Sequence, residues 1–222
     1  MAMELYWGSG SPFAWRALLA LEWKKIPYTS TLINFSKGEH KAPSFIAMNP
    51  RGKVPVLRDG DVTLYETLAV LNYLERKLPE PALFGRTPAE AAAIWREISE
   101  CIYYFEQPAF AVIAPLFFGG VDEKAEAMKA AAGSLHGEFA RLENILTTAN
   151  WLAGDKPSAA DLWWYPETML VERAGANAAA QPLSLDLGSI AKRYPAIGRW
   201  QKRIETQPGY ERTYPPHWKK AA

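Results

Sequence analysis

The sequence is poor in cysteine and histidine. Its 222 residues include one cysteine, Cys101, and three histidines. A single cysteine excludes an intramolecular disulfide framework and any metal site built from cysteines alone. We expect Cys101 to be a buried core thiol. Because His136 and His217 lack the partner spacing of metal ligands, we assign no metal site.

An excess of charge of one sign is also absent. Lys and Arg together number 25 and Asp and Glu 24, for a net charge of +1. This balance gives no electrostatic reason to expect a nucleic-acid partner or binding to a membrane surface. Runs of about 18 uncharged apolar residues, which a membrane span requires, are missing, and so is the basic-then-apolar pattern of a secretory signal. We therefore expect a cytoplasmic protein that does not enter membranes.

What is present is a globular composition, 49% hydrophobic and 22% charged, in a length that suits two small domains. The first 80 residues alternate between strand and helix patterns in the order β-α-β, then a short helix, then β-β-α. This order predicts a small mixed four-stranded sheet covered by helices. The predicted strands are 4–7, 28–33, 54–57 and 62–64, and the predicted helices 12–25, 43–48 and 66–78.

Residues 81–87 are predicted to be a linker, because Pro81 and Gly85 lie there and strand patterns end. Thr87-Pro88-Ala89-Glu90 is typical of a helix start, with an N-cap, a proline at the first position and an acidic residue in the first turn. The remainder, 88–222, is predicted to be an all-helical domain. Its predicted helices begin at 88, with interruptions near Pro108 and Pro115, and continue with 122–149, one from Ser158, 187–194 and 196–207.

A first candidate site lies at the start of the first helix, in Ser11-Pro12-Phe13-Ala14. Free amide donors and the helix dipole favour an anion there. Glutaredoxin-like proteins have the cysteines of C-P-F-C in this place; neither is present here, which excludes dithiol chemistry. The Ser11 hydroxyl remains, and it can donate a hydrogen bond to a thiolate supplied by a ligand or serve as the helix N-cap. These two roles compete for one hydroxyl.

The free energies involved are comparable. Lowering a thiol pKa of about 8.5 by two units takes about 2.7 kcal/mol. A hydrogen bond to a charged group contributes about 1.5–3 kcal/mol. One hydroxyl at a helix N-terminus is therefore sufficient to activate a thiol.

Two further motifs point to a peptide-like ligand. Val54-Pro55 places proline at the start of a strand, where it is either an ordinary trans edge residue or a cis bond that leaves the Val54 backbone for an extended ligand. Glu66-Thr67 begins a predicted helix and is either an N-capping pair or a receptor for an α-amino acid group. In the second case Glu66 would pair with the ammonium, and the Thr67 N–H and hydroxyl with the carboxylate.

In this order and spacing, these motifs resemble the glutathione transferase family, in particular its serine-type tau, zeta and theta classes. In the second half, Gly154-Asp155-Lys156-Pro157-Ser158-Ala159-Ala160-Asp161 resembles the family's capping-box segment, and Tyr194-Pro195-Ala196-Ile197 with Trp200 resembles its C-terminal helix. The resemblance covers about residues 4–210. It implies a thioredoxin-like glutathione-binding domain over residues 1–80 and an all-helical domain over 88–222.

The resemblance also implies roles for individual residues. Ser11 would stabilise the glutathione thiolate, with Ser9 as the second candidate and Tyr6 as the third. The resemblance also places Phe13 beside the thiolate donor, and Val54 with cis Pro55 against the cysteinyl backbone of glutathione. Glu66 and Thr67 would hold the γ-glutamyl group. One of His40, Lys41 and Lys53 would contact the glycine carboxylate.

An electrophile pocket is implied between the two domains. Aromatic residues at helical spacing are also typical of a core, but an apolar, flat-sided pocket would suit an aromatic or hydrophobic electrophile. The candidate lining residues are Tyr103, Tyr104, Gln107, Phe110, Phe117, Tyr214 and Trp218.

The function that the resemblance implies is that of a homodimeric glutathione transferase, with glutathione as co-substrate. Dehalogenases, ether-cleaving enzymes and isomerases of the same fold are alternatives, as is a non-catalytic protein-interaction module. Maleylacetoacetate isomerases typically have Ser-Ser-Cys-Ser where this chain has Ser-Pro-Phe-Ala, which disfavours that activity. Thiol-transfer enzymes of the omega or lambda kind require cysteine at the position of Ser11.

Overall fold

A computed structural model describes residues 3–219 of the chain, so the first two and last three residues of the predicted domains lie outside it. The chain forms two compact units. The first comprises Met1–Leu83 and Thr206–Ala222, and the second Phe84–Glu205. The division after Leu83 lies within the predicted linker. The tail from Thr206 differs from the prediction, because it groups with the sheet and not with the helices.

The first unit contains the expected mixed sheet. Its strands are β1 (Met3–Trp7), β2 (Tyr28–Leu32), β3 (Val56–Asp59) and β4 (Val62–Tyr65). They are arranged in the order β2-β1-β3-β4. Strand β1 is parallel to β2 and antiparallel to β3, and β3 pairs with β4 in a hairpin. The predicted four-stranded sheet is thereby confirmed.

Three helices accompany the sheet, namely α1 (Pro12–Trp23), α2 (Pro43–Met48) and α3 (Thr67–Lys77). All residues from Ala14 to Trp23 are buried. A helix that is buried on every side requires cover on every side, and α1 contacts β1, α3 and the tail. Helix α1 therefore forms the centre of this unit, and its first residues have a fixed position relative to the sheet.

Two boundaries differ from the prediction, and both concern candidate site residues. Strand β3 begins at Val56, two residues later than predicted, because Val54-Pro55 precedes the ladder and its peptide bond is cis. Helix α3 begins at Thr67, and Glu66 is its N-cap residue with φ of 69°. The predicted cis bond at Pro55 is confirmed.

The second unit is all-helical, as predicted. Its helices are α4 (Pro88–Glu100), α5 (Glu106–Phe118), α6 (Val121–Thr148), α7 (Ala159–Gly175), α8 (Ile190–Arg193) and α9 (Pro195–Glu205). The expected thiol burial is confirmed, since Cys101 is fully buried.

The predicted interruption near Pro115 is wrong, whereas the one near Pro108 corresponds to a π-helical turn, Cys101–Phe105, which ends three residues before this proline. Pro108 has no N–H to donate to the carbonyl four residues earlier, and its ring clashes with that carbonyl, so the regular α-helical hydrogen bonding changes there. Pro115 lies inside α5 near its end, and the helix continues to Phe118.

The stretch Pro88–Phe118 is long and apolar enough to cross a membrane by length and composition alone. A core helix of a globular unit satisfies the same criteria. Glu97 is fully buried in this stretch and pairs with Arg96 and Arg141, at 3.1 and 3.0 Å. A buried ion pair of this kind fits a helix packed against protein better than one in lipid.

The start of α7 is fixed by the predicted capping segment. The Asp161 carboxylate accepts hydrogen bonds from the backbone N–H groups of Leu152 and Ser158, at 3.0 and 2.9 Å, and from the Trp200 indole at 2.8 Å. The Ser158 hydroxyl accepts from the Ala160 N–H at 3.2 Å. Asp161 thus connects α7 to the preceding loop and to α9.

The tail completes the first unit with α10 (Tyr210–Thr213) and a 3₁₀ turn at Pro216–Trp218. Its aromatic residues pack on Trp15 of α1. The ring centroid of Trp218 lies 5.4 Å from that of Trp15 and that of Tyr214 5.9 Å, both edge-on. These contacts are the reason that the tail groups with the sheet.

We predict that Asp161 makes the protein less stable as the pH rises from about 4 to about 6. Burial raises the pKa of Asp161 to about 6, whereas an unfolded Asp has a pKa of about 3.9. Between these values the folded state binds a proton that the unfolded state lacks. The free energy of unfolding therefore falls with pH, by about 3 kcal/mol in all.

Denaturant titrations of the wild type and of Asp161→Asn at several pH values test this prediction. The asparagine keeps the shape and cannot ionise, so the difference between the two proteins should change across the window. Asp155→Asn, at an exposed residue of the same segment, is the control. Parallel pH profiles for wild type and Asp161→Asn would contradict the prediction.

Candidate functional site

A cavity of about 490 Å³ in the first unit is lined by residues of all three sequence motifs, although Phe13 represents the first motif and Ser11, two residues before it, is not itself a lining residue. Its volume is within the range usual for small-molecule sites. Its wall is formed by the start of α1, the loop before β3 and the start of α3. The lining residues are Phe13, Asn49, Arg51, Lys53, Val54, Pro55, Glu66 and Thr67.

Ser11 caps α1 and still has a proton to donate. Its Oγ accepts a hydrogen bond from the Ala14 N–H at 3.3 Å. Capping uses a lone pair of the hydroxyl, while the O–H is a separate donor. The expected competition between capping and donation therefore does not arise.

The second- and third-ranked donors are engaged elsewhere. The Ser9 hydroxyl is hydrogen-bonded to Nδ1 of His217 at 2.5 Å. The Tyr6 hydroxyl donates to a carboxylate oxygen of Glu4 at 2.8 Å. Burial and the Glu4 carboxylate raise the pKa of Tyr6, so this tyrosine keeps its proton at neutral pH. Ser11 is therefore a better donor than Tyr6, whereas in the contact of Ser9 with His217 the tautomer of the histidine decides which group donates.

The loop before β3 is held by a buried asparagine. The Asn49 side chain donates to the Lys53 carbonyl at 2.6 Å and accepts from the Arg51 N–H at 3.0 Å. This Asx turn fixes the backbone that leads to Val54. Val54 itself lies outside the β3 ladder, beside the cavity. An extended ligand can therefore align with it.

The start of α3 offers a backbone amide and a carboxylate to the cavity. The Thr67 hydroxyl donates to the Phe13 carbonyl at 3.1 Å, so of the two donors expected at Thr67 the N–H is the one left for a ligand carboxylate. Glu66 makes no side-chain cap bond, which excludes the N-capping interpretation. A non-glycine residue with φ of 69° is uncommon and costs free energy, as is often seen at binding sites.

The charges around the cavity are of both signs. Arg51 Nε lies 3.6 Å from Glu66 Oε1, with both side chains about two-thirds exposed. Lys53 also lines the cavity, whereas His40 and Lys41 are not among the lining residues. The His40 ring packs edge-on to Phe35 at 5.1 Å, and its buried Nδ1 has no hydrogen-bond partner in the part of the chain that the structure describes. Lys41 is exposed.

The candidate electrophile residues belong to both units. In the second unit, Tyr103, Tyr104 and Phe110 are each more than 60% exposed, and Gln107 and Phe117 are exposed as well. In the first unit, Tyr214 is half-buried and Trp218 is buried in the aromatic group around Trp15. Within residues 3–219, His, Cys, Asp and Glu side chains form no cluster suited to a metal ion.

Three residues near the site were missed in the sequence. Asn49 and Arg51 belong to a segment read only as a turn, although an Asn-Pro pair is a known signal for an Asx turn. For His217, the sequence pattern indicates only that it lacks the partner spacing of a metal ligand. Its contact with Ser9 spans 208 residues, and the local sequence contains no signal for it.

Comparison with known proteins matches both halves of the chain to one family. The N-terminal domain of glutathione S-transferases matches residues 10–77, and the C-terminal domain matches residues 102–208. Glutathione S-transferase 4 of Zea mays is 35% identical over 174 residues, which cover 72% of this chain and 74% of the relative. The maleylacetoacetate isomerase of Pseudomonas aeruginosa is 30% identical, with coverage of 88% and 93%.

A solved structure agrees with these matches. The crystal structure of a glutathione S-transferase from the Antarctic clam Laternula elliptica superposes with a TM-score of 0.79 at 30% identity. It covers all of this chain, which in turn covers 95% of that structure. Sequence and fold therefore agree with the cavity geometry, and the chain belongs to the glutathione S-transferase family.

Proposed function

We propose that this transferase binds glutathione in the 490 Å³ cavity and that the Ser11 hydroxyl donates a hydrogen bond to its thiolate. The observation that carries this assignment is the Ser11 O–H, which capping leaves available. It lies at the N-terminus of α1, where the helix dipole adds to the stabilisation of an anion. The protein would then hold glutathione as the thiolate near neutral pH.

The rest of the cavity fits the rest of glutathione. The Thr67 N–H at the start of α3 would receive the γ-glutamyl carboxylate, and Glu66 the ammonium beside it. Val54 would pair with the cysteinyl backbone, with Phe13 and Pro55 beside it. For the glycine carboxylate we favour Lys53, because it lines the cavity.

The thiolate would attack an electrophilic carbon of a small hydrophobic molecule. In a substitution, the new C–S bond forms as the leaving group departs with its electron pair. In an addition, the activated double bond takes up a proton from solvent. The protein forms no covalent bond in either case, and the rate enhancement comes from positioning and thiolate stabilisation.

Apolar surface for the electrophile would come from four exposed aromatic residues, namely Tyr103, Tyr104, Phe110 and Phe117. Gln107, Tyr214 and Trp218 are further candidates.

An isomerase is the second candidate, because one relative is a maleylacetoacetate isomerase. Such a reaction needs a cation that binds a carboxylate substrate, and Arg16 of α1 is a candidate for this role. Arg16 is fully buried, with its guanidinium 5.0 Å from the centroid of the Phe13 ring. This burial favours the transferase. Dehalogenation or ether cleavage would use the same thiolate and differ only in the electrophile.

We further propose that the protein is a cytoplasmic homodimer. Large apolar side chains on the second unit support self-association, since Phe118 is 82% exposed and Trp95 39%. Exposed apolar surface of this kind often marks a protein interface. A monomer with full activity would remove this part of the proposal without affecting the role of Ser11.

We predict that Ser11→Ala binds glutathione with an affinity within about twofold of wild type but loses the thiolate. The absorbance of bound thiolate at 240 nm, measured at pH 6.5, should disappear. Turnover with a reactive aryl halide should fall by about 10- to 100-fold, the range set by one hydrogen bond to a charged group.

Ser44→Ala, at an exposed serine of α2, is the matched control and should behave as wild type. Unchanged turnover in Ser11→Ala would refute the role of Ser11. A wild-type protein that shows no heat of binding with millimolar glutathione would favour the non-catalytic interaction module.

We predict that Lys53→Met weakens glutathione binding by about tenfold, because one charge-assisted hydrogen bond to the glycine carboxylate is lost. The affinity for γ-glutamylcysteine, which lacks the glycine, should not change. Calorimetric titration of both ligands measures the difference. His40→Gln and Lys41→Met test the two alternatives in the same way, and Lys37→Met, at an exposed lysine, is the control. Equal loss of both ligands in Lys53→Met would contradict the assignment.

A further inference from the structure

The end of the tail contacts the turn that precedes Ser11. Ser9 Oγ and His217 Nδ1 lie 2.5 Å apart. The His217 ring also covers Gly10, because a Cβ atom added there would lie 2.8 Å from His217 Cε1. Gly10 has φ of +80°, so space and conformation both favour glycine at this position. The tail and the turn therefore fit each other at two adjacent residues.

The tail is held against α1 by contacts other than this one. The Trp15 indole donates to the Thr213 hydroxyl at 2.9 Å, and Arg212 pairs with Glu22. Trp218 packs on the Trp15 ring and is 8% exposed. Because these contacts fix the tail, His217 has a defined position whether or not Ser9 is bonded to it.

The turn around Ser9 and Gly10 determines the direction in which the Ser11 hydroxyl points. The Ser11 N–H donates to the Gly8 carbonyl at 3.1 Å and closes the turn around Ser9 and Gly10. Among residues 3–219, the hydrogen bond that the Ser11 oxygen accepts is the one from the Ala14 N–H at 3.3 Å, which is long for this type of hydrogen bond. A small rotation of the turn would therefore change the direction of the Ser11 O–H.

We propose that His217 is a positioning residue for thiolate activation, which fixes the turn through Ser9 and so aims the Ser11 hydroxyl. The inference rests on the proposed function of Ser11. His217 does not need to touch glutathione for this role. The role is also separate from electrophile binding, for which the neighbouring Tyr214 and Trp218 are candidates.

A double-mutant cycle between Ser9 and His217 tests the proposal. The readout is the 240 nm absorbance of thiolate at pH 6.5 with saturating glutathione. Ser9→Ala and His217→Ala should each reduce the thiolate fraction by about threefold, as expected for one partly exposed hydrogen bond. The double variant should lose no more than either single one, because both remove the same interaction. His217→Asn keeps a polar atom near the position of Nδ1 and should recover most of the signal.

Two controls separate positioning from general damage. Arg212→Gln removes a tail contact distant from the turn, so it should lower the midpoint of thermal unfolding. It should leave the thiolate fraction unchanged, because the Trp15–Thr213 hydrogen bond and the packing of Trp218 on Trp15 still hold the tail beside the turn. The dissociation constant of glutathione should stay within about twofold of wild type in His217→Ala, since the residues assigned to bind the ligand are intact. A loss of affinity in place of a loss of thiolate would overturn the proposal.

Hydrogen exchange of the ligand-free protein is a second measurement, which does not depend on glutathione binding. The peptide containing Ser9–Ala14 should exchange its amides faster in His217→Ala than in the wild type. If the wild type fails to bind glutathione, the function proposed for Ser11 is refuted. Faster amide exchange in His217→Ala would in that case still show that His217 stabilises the turn. Unchanged exchange, or additive losses of thiolate in the double variant, would overturn the role of His217.

Discussion

The hydrogen bond from the Thr67 hydroxyl to the Phe13 carbonyl joins the two helix starts on which the candidate site depends. Helix α1 has Ser11, the proposed thiolate donor, at its N-terminus, and α3 presents the Thr67 N–H at its own. Each helix N-terminus attracts an anion. Because the bond connects them, a ligand with two anionic groups at a fixed separation meets both at once. Glutathione, with its thiolate and its γ-glutamyl carboxylate, is such a ligand.

Backbone strain and a buried amide support this arrangement from the other side of the cavity. Glu66 has φ of 69°, which brings its carboxylate to the start of α3 without capping the helix. The Asn49 side chain holds the loop up to Lys53 by two hydrogen bonds. The Glu66 conformation costs free energy by local preference, whereas the Asx turn at Asn49 is locally favourable. A strained residue beside a firmly held loop is a combination expected at a binding site.

The sequence predicted the fold well, because the local patterns agree with the tertiary structure. The alternation of Met3, Leu5 and Trp7, buried in β1, and the proline and N-cap at the starts of α1 and α4 are local signals of that kind. Of the two prolines in this stretch, Pro115 was misread, since it lies within α5 without interrupting the helix. The interruption near Pro108 takes the form of the π turn at Cys101–Phe105, because a proline predicts a break in the helical hydrogen bonding but not the type of turn that replaces it.

The candidate site was predictable only in part. Ser11, Val54-Pro55 and Glu66-Thr67 were found because each is an unusual local combination. Arg51 was not, because an exposed arginine in a turn is unremarkable until the turn is placed at a cavity. The position of the tail was misassigned for a different reason. Its grouping with the first unit depends on contacts between Trp15 and residues about 200 positions later, and pairing over such a distance leaves no periodic trace in the sequence.

The comparison of the candidate hydroxyl groups depends on the position of their protons. Tyr6 donates to Glu4 and Thr67 donates to Phe13, so their protons are committed within the protein. The Ser9 hydroxyl is hydrogen-bonded to His217, and the tautomer of the histidine decides which of the two donates. Ser11 accepts a hydrogen bond as a helix cap, and a hydroxyl that accepts still has its own proton to give. A serine at an N-cap is therefore not disqualified as a thiolate donor by its structural role. The cap orients the oxygen, and the proton that the cap does not use is the one that a bound thiolate requires.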